Sequence, residues 1–204
     1  MELRHPYGPW ARASLACAVA VPLLYFAAQV TAQLGTPGYD WTRQLASELG
    51  SAGAPAAALF NIGMVATGVA TIVAAPGYKV ALDAIARSGV LSWLTALSLV
   101  SSGAATLWAG LNPLPDPAHN PGVWGLGTIL FPLLLLLTLA RVRGAGRMRV
   151  YLIVTVALEA AFLLVSNGLL PIGVSVPAGL LQRVGAVLVY APVAVGGIFL
   201  LRRV

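Results

Sequence analysis

Apolar residues fall in six long blocks along the chain, at 13–33, 55–75, 90–111, 123–140, 150–170 and 180–201, each 18 to 22 residues long. At a rise of about 1.5 Å per residue, one such block crosses a hydrocarbon core about 30 Å thick. A barrel strand would be about half as long and would alternate in polarity. The pattern predicts an all-α fold: a polytopic bundle of six transmembrane helices forming one domain over residues 1–204. Breakers separate the blocks at Gly35-Thr36-Pro37-Gly38, Pro76-Gly77, Asn112 to Pro117, Gly144-Ala145-Gly146 and Pro171-Ile172-Gly173. Pro22 and Pro192 lie inside predicted helices, where they should introduce kinks.

Composition strengthens this reading and adds an orientation. The chain is 59% apolar and 9% charged, against about 25% charged in an average soluble domain, which excludes a water-soluble fold. Arg4 and Arg12 precede the first block as they would a signal peptide, but the block outruns a signal core of about 7–15 residues and reads as a retained helix. With the amino terminus inside, Arg4, Arg12, Lys79, Arg87, Arg141, Arg143, Arg147, Arg149, Arg202 and Arg203 are all cytoplasmic, and only Arg43 and Arg183 are outside. The positive-inside bias thus predicts that both termini are cytoplasmic. The net charge of +6 is then an orientation signal and an attraction to anionic lipid, and a loop this short is no platform for nucleic acid. The single cysteine, Cys17, permits no internal disulfide.

Candidate chemistry concentrates in the external connections. Asp40 is a plausible N-cap and Gly50 a plausible stop, so residues 40–50 read as a short amphipathic helix with Trp41, Leu45 and Leu49 on one face. Its charged face is either a solvated interfacial surface or, with Ser47 and Glu48, part of a site. Asn112, Asp116, His119 and Asn120 stand in the proline-rich connection before the fourth helix. There His119 has the chemistry of a base, a metal ligand or a proton sensor, or else is a solvated or capping residue. Glu159 lies in the fifth block, where a carboxylate facing lipid would cost about 2.5–3.5 kcal/mol, so it should turn inward. Ser101, Ser102 and Tyr190 lie at similar depth, and Gln29, Gln33, Asn61, Asn167, Gln182 and Arg183 in the outer half. They either bond between helices or line a polar interior open to the outside.

The order Asp40, Ser47-Glu48-Leu49-Gly50, Leu59-Phe60-Asn61 with Gly63 and Gly68, Gly89, Gly110-Leu111-Asn112-Pro113, Asp116, His119 and Phe131-Pro132 resembles small bacterial and archaeal membrane proteins grouped as domain of unknown function 998. The resemblance covers roughly residues 39 to 140 and implies a bacterial cytoplasmic (inner) membrane location. The Ser-acidic-x-Gly segment, Asn61 and His119 are also similar to the six-helix eukaryotic family of the autophagy modulator and a GPI-lipid remodelling protein, which implies lipid handling.

The function expected is binding or remodelling of a lipid or other amphiphile at an outward-facing polar site. Glu48 and His119 would serve there as acid and base, Ser47 as nucleophile, and Asp40, Arg43, Asn61, Asp116, Glu159 and Arg183 as ligand-binding groups. The spacing of Asp40, Glu48, Asp116 and His119 matches no known cation loop, so neither a metal nor a cofactor is expected. No Gly-x-Ser-x-Gly elbow or His-Glu-x-x-His motif points to a reaction. An accessory subunit of a larger membrane complex, with a membrane-protein partner or a second copy, and a small-molecule transporter remain the alternatives.

Overall fold

A computed structural model describes residues 8–86, 88–170 and 176–203. It contains the helices α1 (Pro9–Leu34), α2 (Ala57–Ala86), α3 (Gly89–Leu111), α4 (Leu126–Leu139), α5 (Gly146–Ser166) and α6 (Ala178–Leu201). Six segments are long and apolar enough to cross a membrane; the fourth joins α4 to the short 3-10 turns before it, over Pro117–Leu139. Leu23, Ile62, Trp93, Leu97, Leu137 and Ile153 stand exposed on the outer surface. In water that would be an apolar surface far larger than a soluble monomer carries; in a bilayer it is the lipid face.

Consecutive helices pack side by side and α1 closes the ring against α6. Each helix turns a stripe inward, as Leu15, Ala18, Val21, Tyr25, Ala28 and Ala32 do on α1. Gly68 and Gly103 bring α2 and α3 together so closely that a Cβ on either would lie 2.6 Å from the other's carbonyl oxygen. Tyr78 fills the centre: its hydroxyl donates to the Val193 carbonyl of α6 at 2.5 Å, and its ring meets Phe131 of α4 edge-on.

Three expectations change. Pro76-Gly77 does not end the second helix, which continues to Ala86, because Ser14 of α1 supplies hydrogen bonds at this point. Lys79 consequently lies on α2, where it pairs with Asp83 and sits 5.0 Å from the Trp93 ring centroid. Residues 40–50 form not one helix but a turn followed by a 3-10 helix at Ala46–Gly50. The reason is local: the Asp40 carboxylate takes the Thr42 amide and hydroxyl, and the Glu48 carboxylate takes the Leu45 amide, so each side chain closes its own turn. The Pro171-Ile172-Gly173 breaker, Arg4 and Arg87 lie outside the described residues.

Most hydroxyls at depth serve the fold. Thr67, Thr71, Thr95 and Thr106 bond back to carbonyls four residues earlier. Thr106 and Tyr190 join α3 to α6 at 3.0 Å, and Ser101 donates to Trp124 O while accepting from Gly127 N. Bonding between elements accounts for the Ser101 hydroxyl and for that of Tyr190.

Candidate functional site

Helix α5 buries a single stripe, Met148, Leu152, Thr155 and Glu159, spaced three and four residues apart. Glu159 is therefore placed inward by the same periodicity that buries three uncharged neighbours. Only 6% of the residue is exposed, and its Oε1 has no hydrogen-bond partner among the described residues. A buried acceptor left unmet costs about 1–3 kcal/mol, more if charged, so this carboxyl stands out from the satisfied hydroxyls around it.

A cavity of about 330 Å³ lies beside it, between α5 and α6 and reaching α1 and α4. Tyr25, Thr128, Glu159, Phe162, Gln182 and Tyr190 contribute to a wall that is otherwise apolar. The Tyr25 and Tyr190 rings pack with centroids 4.4 Å apart. Gly185 lets Phe162 approach α6: a Cβ there would lie 2.6 Å from Phe162 Cζ. A mostly apolar chamber with very few polar groups is the usual construction of a site for a small amphipathic ligand, and its volume falls in the range of about 300–1,000 Å³ for such sites.

One turn of α1 away, Gln29, Gln33, Trp41 and Arg183 line a smaller cavity of about 260 Å³. Arg183 Nη2 donates to the Tyr39 hydroxyl at 2.7 Å, and Nη1 to the carbonyls of Gly179 at 2.9 Å and Gln44 at 3.2 Å. The same segment is tied down from α6 by Gln182 Oε1, which accepts the Ala46 amide at 2.5 Å, and by the Leu180 amide, which donates to Thr42 O at 2.9 Å. Gln29 is 4% exposed and its Nε2 has no partner among the described residues. The α1–α2 connection is thus seated on the start of α6.

The family described as protein of unknown function (DUF998) matches residues 7–198. The chain belongs to this family. No curated protein and no solved structure matches it. The DUF998 match extends well beyond the 39–140 stretch that carried the motifs, and it takes in α5, α6 and the cavity between them.

Within this DUF998 chain most of the other sequence candidates have definite partners. Glu48 Oε1 accepts from Leu45 N at 2.8 Å, and Oε2 from Gln44 Nε2 at 3.2 Å. His119 Nδ1 lies 2.9 Å from Asn112 O, while Asp116 caps the next turn through Ala118 N at 2.8 Å. Asn61 donates to Gly50 O at 2.9 Å and so pins the 3-10 helix to α2. Asp40 is paired with Arg43 at 3.7 Å, and Arg43 is 83% exposed at its side chain. The Thr42 hydroxyl and amide, assisted by Arg43, hold the exposed Asp40 carboxyl below its ordinary pKa.

No hydrogen bond joins Ser47 or Glu48 to His119 among the described residues. The two connections of the DUF998 chain meet instead through their backbones, Ala52 N donating to Leu114 O at 2.8 Å. Among the described residues no three His, Cys, Asp or Glu side chains cluster as a metal site would need. Among the cavity residues that sequence reading missed are Tyr25, Thr128 and Phe162. Phe162 was within reach, since it follows Glu159 by three residues and so shares its helix face. Nothing in the local pattern marks Tyr25 or Thr128.

Proposed function

We propose that this DUF998 protein binds a single membrane amphiphile in the cavity beside Glu159, with the apolar part against Phe162 and the tyrosine rings and a hydroxyl or amine donated to the carboxyl. The observation that carries the reading is Glu159 Oε1, which has no partner among the described residues, in an apolar-walled chamber. Water cannot solvate a carboxyl cheaply at that depth, and a ligand donor would satisfy the oxygen while the ligand's apolar body fills the space. The ligand is a lipid or a molecule delivered through lipid, since the chamber lies among faces that contact the bilayer.

On the bias of basic residues we further propose that both termini face the cytoplasm, in a bacterial inner membrane. The cavity then opens in the outer half of the bilayer, at the end bearing Asp40 and His119. Glu48 and His119 are read as groups that shape the connections above it, because their contacts are to neighbouring backbone and to Gln44.

The test is native mass spectrometry of the full chain released from gentle detergent, with identification of retained molecules. The wild type should carry a bound amphiphile in about 1:1 ratio. Val189→Trp, which projects bulk into the chamber from its wall, should lose it, and Glu159→Leu should weaken retention by roughly tenfold, as expected when a buried polar contact is removed. Equal retention by Val189→Trp and wild type would exclude this cavity as the site.

A further inference from the structure

Six arginines, Arg141, Arg143, Arg147, Arg149, Arg202 and Arg203, gather where α4 ends, α5 begins and α6 ends. Among the described residues the ion pairs are Asp40–Arg43 and Lys79–Asp83, so none of the six is paired with a carboxylate. Two of the six tie the fold together. Arg149 donates to Ala140 O; Arg203 donates to Arg143 O at 3.1 Å, with its guanidinium 4.4 Å from the Phe199 ring centroid. These contacts fasten the α4–α5 turn to the last turn of α6.

Between the first turns of α5 and the last turns of α6 lies a cavity of about 800 Å³. Arg147, Arg202 and Arg203 line it at the helix ends, and Tyr151, Val195 and Phe199 line it about one to two turns deeper. Among the described residues its charge is all of one sign, and its wall turns apolar along the helix axes. The first turn of α5 adds to that sign, because it has neither a side-chain cap nor an acidic residue to offset the helix dipole.

We propose that this cavity is a binding site for one anionic phospholipid, its phosphate held by Arg147 and Arg202 beside Arg203, and an acyl chain lying along Val195 and Phe199. Charge complementarity selects an anion, since no carboxylate of the chain pairs with these guanidinium groups among the described residues. The apolar wall selects a lipid over a free anion, which would leave Val195 and Phe199 uncovered. This site is independent of the Glu159 chamber: it lies at the opposite end of the same helix pair and shares no lining residue with it.

The proposal is tested on the intact chain in detergent by native mass spectrometry titration with dioleoylphosphatidylglycerol and dioleoylphosphatidylcholine. Two variants remove equal charge from exposed side chains: Arg147→Gln/Arg202→Gln inside the cavity and Arg141→Gln/Arg143→Gln beside it. The wild type should prefer the phosphatidylglycerol by about tenfold or more; the first pair should lose that preference and the second keep it within about twofold. Val195→Trp, which leaves every arginine in place, should weaken phosphatidylglycerol binding by about tenfold. Equal losses in the two arginine pairs would show diffuse attraction and overturn the site. So would undiminished binding by Val195→Trp, or displacement of the lipid by inorganic phosphate at an equal concentration.

Discussion

Ser14 of α1 bridges the helix turn at Gly77 of α2: its hydroxyl accepts the Gly77 amide at 2.9 Å and donates to the Val73 carbonyl at 2.5 Å. Val73 and Gly77 are the two ends of one i to i+4 step, and Pro76, with no amide hydrogen, lies inside that step. A neighbouring hydroxyl therefore serves the backbone groups of the proline turn from outside the helix, one of the ways a membrane helix tolerates proline. Gly77 makes the approach possible, since a Cβ there would stand 2.7 Å from Ser14 Oγ and 2.9 Å from Leu15 N.

Ser14→Ala should cost about 1–2 kcal/mol, because both backbone groups lose a partner where no water replaces it. Gly77→Ala should cost about 1–3 kcal/mol by forcing α1 and α2 apart. Thermal unfolding in detergent measures both, and a Ser14→Ala protein as stable as wild type would show that the bridge contributes nothing.

Arg183 ties the α1–α2 connection to α6, and Lys cannot reproduce contacts that diverge to Tyr39, Gln44 and Gly179 from one planar group. Both Arg183→Lys and Arg183→Ala should speed hydrogen exchange at residues 39–50, with Ala destabilising by about 2–3 kcal/mol. Tyr39→Phe should produce a smaller change in the same segment. Unchanged exchange in Arg183→Ala would refute the clamp.

Asp40 supplies a pH test of the external turn. Its folded pKa lies below the ordinary value of 3.8, chiefly through the Thr42 hydroxyl and then the Thr42 amide. A group whose folded pKa is lowered adds stability above its unfolded value and loses it as pH falls through the folded one. The turn at residues 40–44 should hold at pH 5 and loosen only below about pH 3.8. Thr42→Val should raise the Asp40 titration toward 3.8, as read by carbon NMR of labelled aspartate carboxyls; no change would mean the hydroxyl contact is absent in solution.

The proposed topology is checked with single cysteines in a Cys17→Ala background. Arg143 and Ala52 are exposed at opposite ends of the bundle, and substitution at either leaves the core intact. An impermeant thiol reagent applied to intact cells should label Ala52→Cys and spare Arg143→Cys until the membrane is opened. The reverse pattern would place both termini outside.

The sequence by itself determined the fold class and the number of crossings. An apolar block of about 20 residues has one stable arrangement in a bilayer, with its backbone bonds satisfied within the helix. The cost of a charge in lipid also determined that Glu159 would turn inward. Only the tertiary structure decided which polar groups were already spoken for. Gln182 is taken by the Ala46 amide, and Arg183 by the Gln44 carbonyl and the Tyr39 phenol, each more than a hundred residues away in the chain. It also decided that Pro76-Gly77 would not end a helix, because the group that permits continuation, Ser14, belongs to a different helix. Local pattern measures what a segment prefers in its environment. The partner of a buried donor or acceptor is set by helix packing, and the cavity beside Glu159 exists only where α1, α4, α5 and α6 meet.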